Sequence, residues 1–314
     1  MVPPDRDTSL ASLPSGEPRS IALVTGGDLR HLRLGYLIQQ RFPGRLAAWL
    51  TVAPPPPEPS TVRVGGHLAR TASGTAFIKT LKRGEVFEAA SMVRRRLRPS
   101  NLRRLRRQLQ RPGARSTDGD LARIEQEMFG AECARLAGQS SLQPTAAADR
   151  AALVHALRLA DPYLVVVHGG TLPPEAAGIA RGAVLAQHDG CLEAFTGPHA
   201  VEHALYHRRL SWVGSTTTAH VANQAETALV RYASATLHPD DTVAHCIAAV
   251  AALGAGLMLD AVGECLEHAR LALAPLCLGK PLVAADYSPA VQEALARDLA
   301  AGWLADALAG EQDF

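Results

Sequence analysis

The sequence lacks three features that would assign it to a class at once: a cysteine framework, an excess of one charge and a secretory leader. Its five cysteines are widely spaced and form no C-x-x-C pair, so we expect reduced thiols and no disulfide framework. The net charge of +2 is too small to indicate a nucleic-acid or membrane partner by itself. Residues 1–19 are polar and contain no apolar signal core. These absences favour a cytoplasmic protein.

Long hydrophobic runs are also scarce. The longest, around residues 246–259, contains small residues and is shorter than a bilayer span, so we interpret it as a buried helix and expect no membrane partner. With 314 residues, 47% of them apolar and 20% charged, the chain is long enough to build one large core or two modest ones.

Short apolar runs that end in glycine predict a parallel α/β sheet. Residues 21–25 read as a buried strand that ends at Gly26 and Gly27, and Asp28 suits the N-cap of a following helix. A second apolar run covers residues 47–52. Strand, turn, helix and strand in this order predict a right-handed crossover between parallel strands.

Two later strands mark the expected site. Residues 163–167 form an aliphatic run without alternation, which is typical of a central parallel strand, and this run ends at His168. A weaker strand at 183–187 ends at His188 and Asp189. Ligands bind at the carboxyl ends of strands in doubly wound sheets, so the sequence predicts a small-molecule site at these two strand ends.

These patterns predict a fold class and a domain organisation. The fold class is a Rossmann-like doubly wound α/β fold, a mostly parallel sheet with helices on both faces, plus a helical C-terminal extension. We expect a flexible N-terminal segment at 1–19, an α/β domain at 20–238 and a helical extension at 239–314 that packs on the core. A homodimer remains an open alternative.

One segment of the α/β domain is strongly basic. Residues 94–111 contain nine arginines, within a helical excursion predicted at about 91–115. Leucines at helical spacing favour an amphipathic helix with a solvated face. The alternative is a surface for an anionic partner, such as a phosphorylated substrate, a carrier protein or RNA.

Several stretches taken together resemble a known family. They are residues 21–27 with Arg30-His31-Leu32 after them, DPYLVVVHGGTLP at 161–173, AVLAQHDGCLEAFTG at 183–197, WVGST at 212–216 and Asp241-Thr242. In this order they are similar to the 10-formyltetrahydrofolate-dependent formyltransferases. The resemblance covers residues 21–242 and implies transfer of a formyl group from a folate to the amine of a small biosynthetic intermediate. It places the loop of Gly169, Gly170, Thr171, Leu172 and Pro173 against the pterin of 10-formyltetrahydrofolate.

The resemblance also implies a catalytic set, and this chain departs from it. The family uses an asparagine and a histidine to hold the developing oxyanion and an aspartate to organise proton transfer. The histidine is present as His188, whereas alignment puts Ala186 at the asparagine and Ala225 at the aspartate. The chain therefore resembles a degenerate member. A register shift of one residue at both places would give a variant triad of Gln187, His188 and Glu226, although Gln187 should face away from His188.

Histidines form a second set of candidate catalytic and metal-binding residues. His168 follows four buried aliphatics, and we interpret it as a catalytic group in the cleft or as a partner of a loop carbonyl. His199, His203 and His207 recur every fourth residue, which suits either a metal site or the surface of a helix. Three hypotheses therefore stand: a formyltransferase, a repurposed enzyme with a histidine-rich and metal-binding cleft, and a catalytically silent binding subunit.

Overall fold

The computed structural model describes residues 8–14, 19–52, 117–222, 224 and 226–311. The predicted basic excursion at 91–115, with the arginine-rich segment 94–111, lies outside the described residues, and so does Ala225.

A seven-stranded sheet forms the centre of the described chain. Its strand order is β4-β3-β2-β5-β6-β8-β9, in which β4 to β6 are parallel, β8 is antiparallel to β6, and β9 is antiparallel to β8. The strands are β1 (Ser9–Ser12), β2 (Ile21–Thr25), β3 (Leu46–Thr51), β4 (Thr145–Ala146), β5 (Leu164–His168), β6 (Ala183–Asp189), β7 (Phe195–Thr196), β8 (Gly214–Val221), β9 (Ala228–Ser234), β10 (Arg270–Leu273) and β11 (Lys280–Pro281). The predicted mostly parallel sheet is confirmed.

Helices cover both faces of this sheet. They are α1 (Leu29–Arg41), α2 (Thr117–Ala137), α3 (Arg150–Ala160), α4 (Ala200–Tyr206), α5 (Val243–His268), α6 (Pro289–Ala300) and α7 (Trp303–Glu311). One apolar cluster joins α1, α2 and α5 to one face, and a second joins α3 to the other. Every residue of β2 and β5 is buried, because strands covered on both faces need no polar alternation. The predicted α/β class is therefore confirmed.

The apolar run at 246–259 lies in α5, which has 26 residues. Thr242 caps its start by accepting a hydrogen bond from the His245 amide, and Ala269 ends it in the left-handed region at φ 49°. The helix is long and apolar enough to cross a bilayer, so the expectation that this region is too short was wrong. It packs on β6 and β8, and 61% of its most apolar stretch is buried, as predicted for a core helix.

Both chain ends contain strands that the sequence pattern did not reveal. Ser9–Ser12, within the segment expected to be flexible, forms β1 and pairs antiparallel with β10. The C-terminal region, expected to be helical, contains β10 and β11 as well as helices. Leu271 and Leu273 of β10 alternate into the core, which holds β10 in an extended conformation. β1 then pairs with the edge of β10. The division into domains stays a prediction.

The contact between α1 and β3 can be tested with a pair of glycines. A Cβ at Gly35 in α1 would overlap the indole of Trp49, which is 2% exposed and donates from Nε1 to Thr25 Oγ1 at 3.0 Å. We expect Gly35→Ala to lower the free energy of unfolding by about 1–2 kcal/mol, because overpacking outweighs the helix propensity of alanine.

Gly256→Ala in the exposed part of α5 is the matched control, since a Cβ there meets no atom within 4 Å. It should stabilise the protein by up to about 1 kcal/mol. Urea unfolding of both variants measures the difference, and equal stabilisation by both would contradict the described packing of Trp49.

Candidate active site

Three polar side chains meet at the carboxyl edge of the parallel strands, on the face covered by α1 and α5. His168 is the last residue of β5, Asp189 is the last residue of β6, and His31 lies in the first turn of α1, directly after β2. One potential ligand atom from each lies within 4.8 Å of the other two. We call these three residues the polar cluster.

His168 is the most buried member of the polar cluster. Its side chain is 1% exposed, and neither ring nitrogen has a hydrogen-bond partner. Nε2 lies 3.7 Å from Asp189 Oδ1, and the ring meets that of His31 edge-on with centroids 4.7 Å apart. Burial of a polar group without a hydrogen bond costs free energy, and such groups are typical of functional sites.

His31 is held against two glycines. A Cβ at Gly26 or Gly169 would overlap its ring, and Gly169 adopts a φ of +68° that favours glycine. Arg30 Nε donates to His31 Nε2 at 3.2 Å. Burial, followed by the charges of His168 and Arg30, lowers the pKa of His31 to about 2. The imidazole is therefore neutral at physiological pH.

Asp189 supplies the negative charge of the polar cluster. Gln187, two residues earlier on the same face of β6, donates from Nε2 to Asp189 Oδ1 at 3.1 Å. Burial acts to raise the pKa of Asp189, but the contact with His168 and the charges of His31 and Arg30 outweigh it and hold the pKa well below its usual range. A fixed carboxylate therefore faces two imidazoles.

His188 lies on the opposite face of β6 from the polar cluster. Its Nε2 is buried without a partner, and burial lowers its pKa. Ala186 shares that face and packs with the apolar cluster of α3. Gln187 points the other way, toward α5, as the sequence predicted, since a Cβ at Gly254 would overlap its amide. The side chain two residues before His188 is thus a methyl group rather than a hydrogen-bond donor.

Glu226 lies far from His188, so the structure does not bring the predicted variant triad of Gln187, His188 and Glu226 together. Ala228 at the start of β9 pairs with Ala219, which in turn pairs with Leu185. Glu226 is exposed and precedes Ala228, so it lies toward the amino end of β6, roughly 16 Å from His188 along the strand direction. The sequence alignment missed this because it could not show that β8 runs antiparallel to β6.

The predicted pterin loop of residues 169–173 lies at the carboxyl edge beside the polar cluster. The space near its two glycines is filled by protein, with His31 against Gly169 and Val52 Cγ2 at 2.6 Å from a Cβ built on Gly170. Thr171 is exposed, and Leu172 packs against the α3 cluster, with Pro173 next to it in the chain. The assignment of residues 169–173 to a pterin stays a prediction.

The histidine row at 199–207 is part of an aromatic cluster. His199 is the N-cap of α4 and His207 its C-cap, and their rings stack on Tyr287 at 4.7 Å and on Phe195 at 5.6 Å. His203 lies between them, near Phe195. Within the described part of the chain, His31, His168 and Asp189 form the group close enough to share a metal ion, and the structure does not bring the metal candidates His199, His203 and His207 together in this way.

The sequence analysis singled out His168 and Gln187, placed Asp189 at the expected site without a catalytic role, and missed His31 as a site member. A signal for each was present. Asp189 is two residues after Gln187 and must share its face of the strand, and His31 sits one helical turn after the glycines that end β2. The sequence does not show that α5 covers this face of the sheet, because the position of a helix on a sheet is a tertiary property. The convergence of His31 and Asp189 beneath it was therefore not predicted.

Comparisons with known proteins return formyltransferases among solved structures. The chain is similar to glycinamide ribonucleotide transformylase 1 from Symbiobacterium toebii, with 16% identity over 83% of this chain and 96% of that chain and a TM-score of 0.45. It is similar to phosphoribosylglycinamide formyltransferase from Anaplasma phagocytophilum, with 11% identity, 79% and 87% coverage and a TM-score of 0.41. It is also similar to a 4-N formyltransferase from Francisella tularensis, with 14% identity, 52% and 64% coverage and a TM-score of 0.37.

Comparison with family models and with curated protein sequences gave no match. The solved structures are described as formyltransferases or transformylases, and the sequence resemblance is to formyltransferases as well. At these identities and TM-scores we take nothing from them about chemistry.

The aromatic cluster around α4 predicts a pH dependence. His203 is buried, its Nε2 has no hydrogen-bond partner, and burial, with the nearby His207, lowers its pKa. The unfolded chain therefore binds a proton at this position at higher pH than the folded chain does. The stability contribution is complete above the unfolded pKa of about 6.5 and is lost as the pH falls below it.

We expect His203→Phe, which keeps a ring beside Phe195, to reduce the loss of unfolding free energy between pH 7.5 and pH 5, a range set by the histidine pKa of about 6.5. Denaturant unfolding at both pH values measures this loss. The control is His268→Gln, whose ring is 66% exposed and whose replacement should leave the loss unchanged. A full wild-type loss in His203→Phe would contradict the prediction.

Proposed function

We propose that the protein is an enzyme whose reacting centre is the polar cluster, and that it transfers or hydrolyses a formyl group. The observation that carries the proposal is His168, a buried imidazole whose two nitrogens have no hydrogen-bond partner and whose Nε2 lies 3.7 Å from the Asp189 carboxylate. Two further considerations support it: where the cluster lies in the sheet, and the residues that the sequence shares with formyltransferases.

The position of the polar cluster favours function over packing. It lies at the carboxyl ends of adjacent parallel strands, the edge at which α/β sheets bind ligands. Its environment pushes the pKa values of His31 and Asp189 in the direction that keeps the imidazole neutral and the carboxylate charged. Groups perturbed in this way are typical of catalytic sites.

The reaction class comes from the sequence resemblance over residues 21–242. The asparagine, histidine and aspartate that the family uses are not all present here. His188 has Ala186 as its neighbour on the strand face, and Glu226 lies at the other end of β6. Loss of a single oxyanion donor typically costs about 2.7–4 kcal/mol of transition-state stabilisation. We therefore assign the chemistry to the polar cluster, with a small amine or water as formyl acceptor and the cytoplasm as the expected compartment.

The side chains of the polar cluster suit two roles at a formyl group. Asp189 can orient the His168 ring and stabilise its charged form while the ring accepts a proton from the attacking nucleophile. The same two imidazoles and carboxylate can instead hold a metal ion, which would polarise the formyl oxygen. Both roles require His168 and Asp189, and neither requires His188.

The assignment predicts a difference between neighbouring residues on β6. We expect His168→Gln and Asp189→Asn each to lower kcat/KM for release of tetrahydrofolate from 10-formyltetrahydrofolate by about 100-fold or more. His188→Gln, at a partly buried histidine adjacent to Asp189 but on the other face, should stay within about threefold of wild type. Release of tetrahydrofolate is followed with and without a panel of small amines, and circular dichroism confirms that each variant is folded.

Two results would overturn different parts of the proposal. Loss of activity in His188→Gln with retention in His168→Gln would move the reacting centre to the α3 face of the sheet. Wild-type protein that neither releases tetrahydrofolate nor binds 5-formyltetrahydrofolate in calorimetry would remove the formyl reaction.

A further inference from the structure

We propose that His31, His168 and Asp189 bind one divalent transition metal ion, with zinc as the first probe. The inference rests on the proposed location of the reacting centre and deepens it. No part of it depends on the histidine row at 199–207.

The spacing of the side chains suits three ligands of one ion. Each residue places a potential ligand atom within 4.8 Å of the others, and His168 Nε2 to Asp189 Oδ1 is 3.7 Å. Zinc bonds of about 2.0–2.2 Å in tetrahedral geometry place ligand atoms roughly 3.3 Å apart. Small side-chain rotations therefore close the set, with no movement of the backbone.

Two contacts fix the backbone that carries these ligands. His168 and Gln187 are paired residues of β5 and β6, so the ends of the two strands are locked in register. The Gly26 amide donates to the His168 carbonyl at 3.0 Å, which ties the turn before α1 to the end of β5. A preorganised set of this kind loses little conformational entropy when the ion binds.

The outer contacts of the ligands resemble those of metal sites. Gln187 holds the Asp189 carboxylate, and Gln187 is itself confined by Gly254 of α5. Such contacts orient a ligand and tune its affinity. The donor types also fit, since two imidazoles and one carboxylate are ligands that divalent zinc and iron accept.

Arg30 opposes binding at this place, because it carries a positive charge and its Nε donates to His31 Nε2. Its guanidinium is already paired, with Glu125 and with Asp28 at 2.9 Å, and Glu125 is itself buried. The positive charge of Arg30 is thus largely balanced before an ion arrives. Three protein ligands leave at least one coordination position for water or a formyl oxygen, which is the arrangement of catalytic rather than structural zinc.

The first test measures binding to the full chain, purified without a histidine tag and stripped of metal by a chelator. We expect one equivalent of zinc in calorimetry, and a visible cobalt(II) spectrum that zinc abolishes. His168→Gln and Asp189→Asn should weaken zinc binding by about 100-fold or more, because even changes in outer contacts cost about 10–100-fold. His188→Gln is the matched control and should bind zinc as wild type does.

A second measurement uses wild-type protein alone and so does not depend on folded variants. The chain contains 12 histidines, and zinc should shift the side-chain nitrogen resonances of two of them. Absence of zinc binding, equal affinity in His168→Gln and Asp189→Asn, or perturbation of any other number of histidine rings would overturn the inference.

Different results would contradict the metal inference and the proposed function. If chelator-treated protein still releases tetrahydrofolate at the full rate and His168 is still required, the metal inference falls and the reacting centre stands. If zinc binds one equivalent at His168 and Asp189 but no formyl group is released, the reaction class falls and the metal site stands.

Discussion

The parallel pairing of β2 with β5 is the constraint on which the rest of the structure depends. Ile21 to Thr25 lie opposite Leu164 to His168, and all ten residues are buried. Burial on both faces leaves the ladder no solvent partner, so its hydrogen bonds must close within the sheet. The pairing brings the end of β2, and with it the first turn of α1, directly beside His168. A slip of one residue would turn His168 toward α3 and separate it from both His31 and Asp189.

The sequence predicts most of this framework, because aliphatic runs that end in glycine have few structural alternatives. The strand at 164–168, the turn at Gly26 and the opposite orientations of Gln187 and His188 all follow from periodicity. The position of Glu226 does not. It depends on the antiparallel direction of β8 relative to β6. The sequence pattern of the two strands is compatible with either direction. The pairing of β1 with β10 is also invisible locally, because the two strands lie more than 250 residues apart.

Histidine spacing illustrates why the site was harder to predict than the fold. His199, His203 and His207 have a regular spacing along the chain, yet their rings stack on Phe195 and Tyr287 and do not converge. His31 and His168 have no spacing that relates them, yet their rings touch. A periodic row identifies residues on one helix face, whereas convergence of side chains from different elements depends on the sheet. Convergence of side chains from different elements, rather than repetition along the chain, marks the candidate site.

The two faces of β6 explain how a chain can resemble formyltransferases without their full constellation. Successive residues of a strand point to opposite sides, so Gln187 and Asp189 serve one face while Ala186 and His188 serve the other. Alanine at 186 removes a donor from the α3 side, and the carboxylate at 189 adds a charge on the α1 and α5 side. Residues of both faces reach the carboxyl end of β6, the edge at which α/β sheets bind ligands. Under the proposed function, a change of one position in the strand moves the reacting group from one face to the other, with the sheet and its register unchanged.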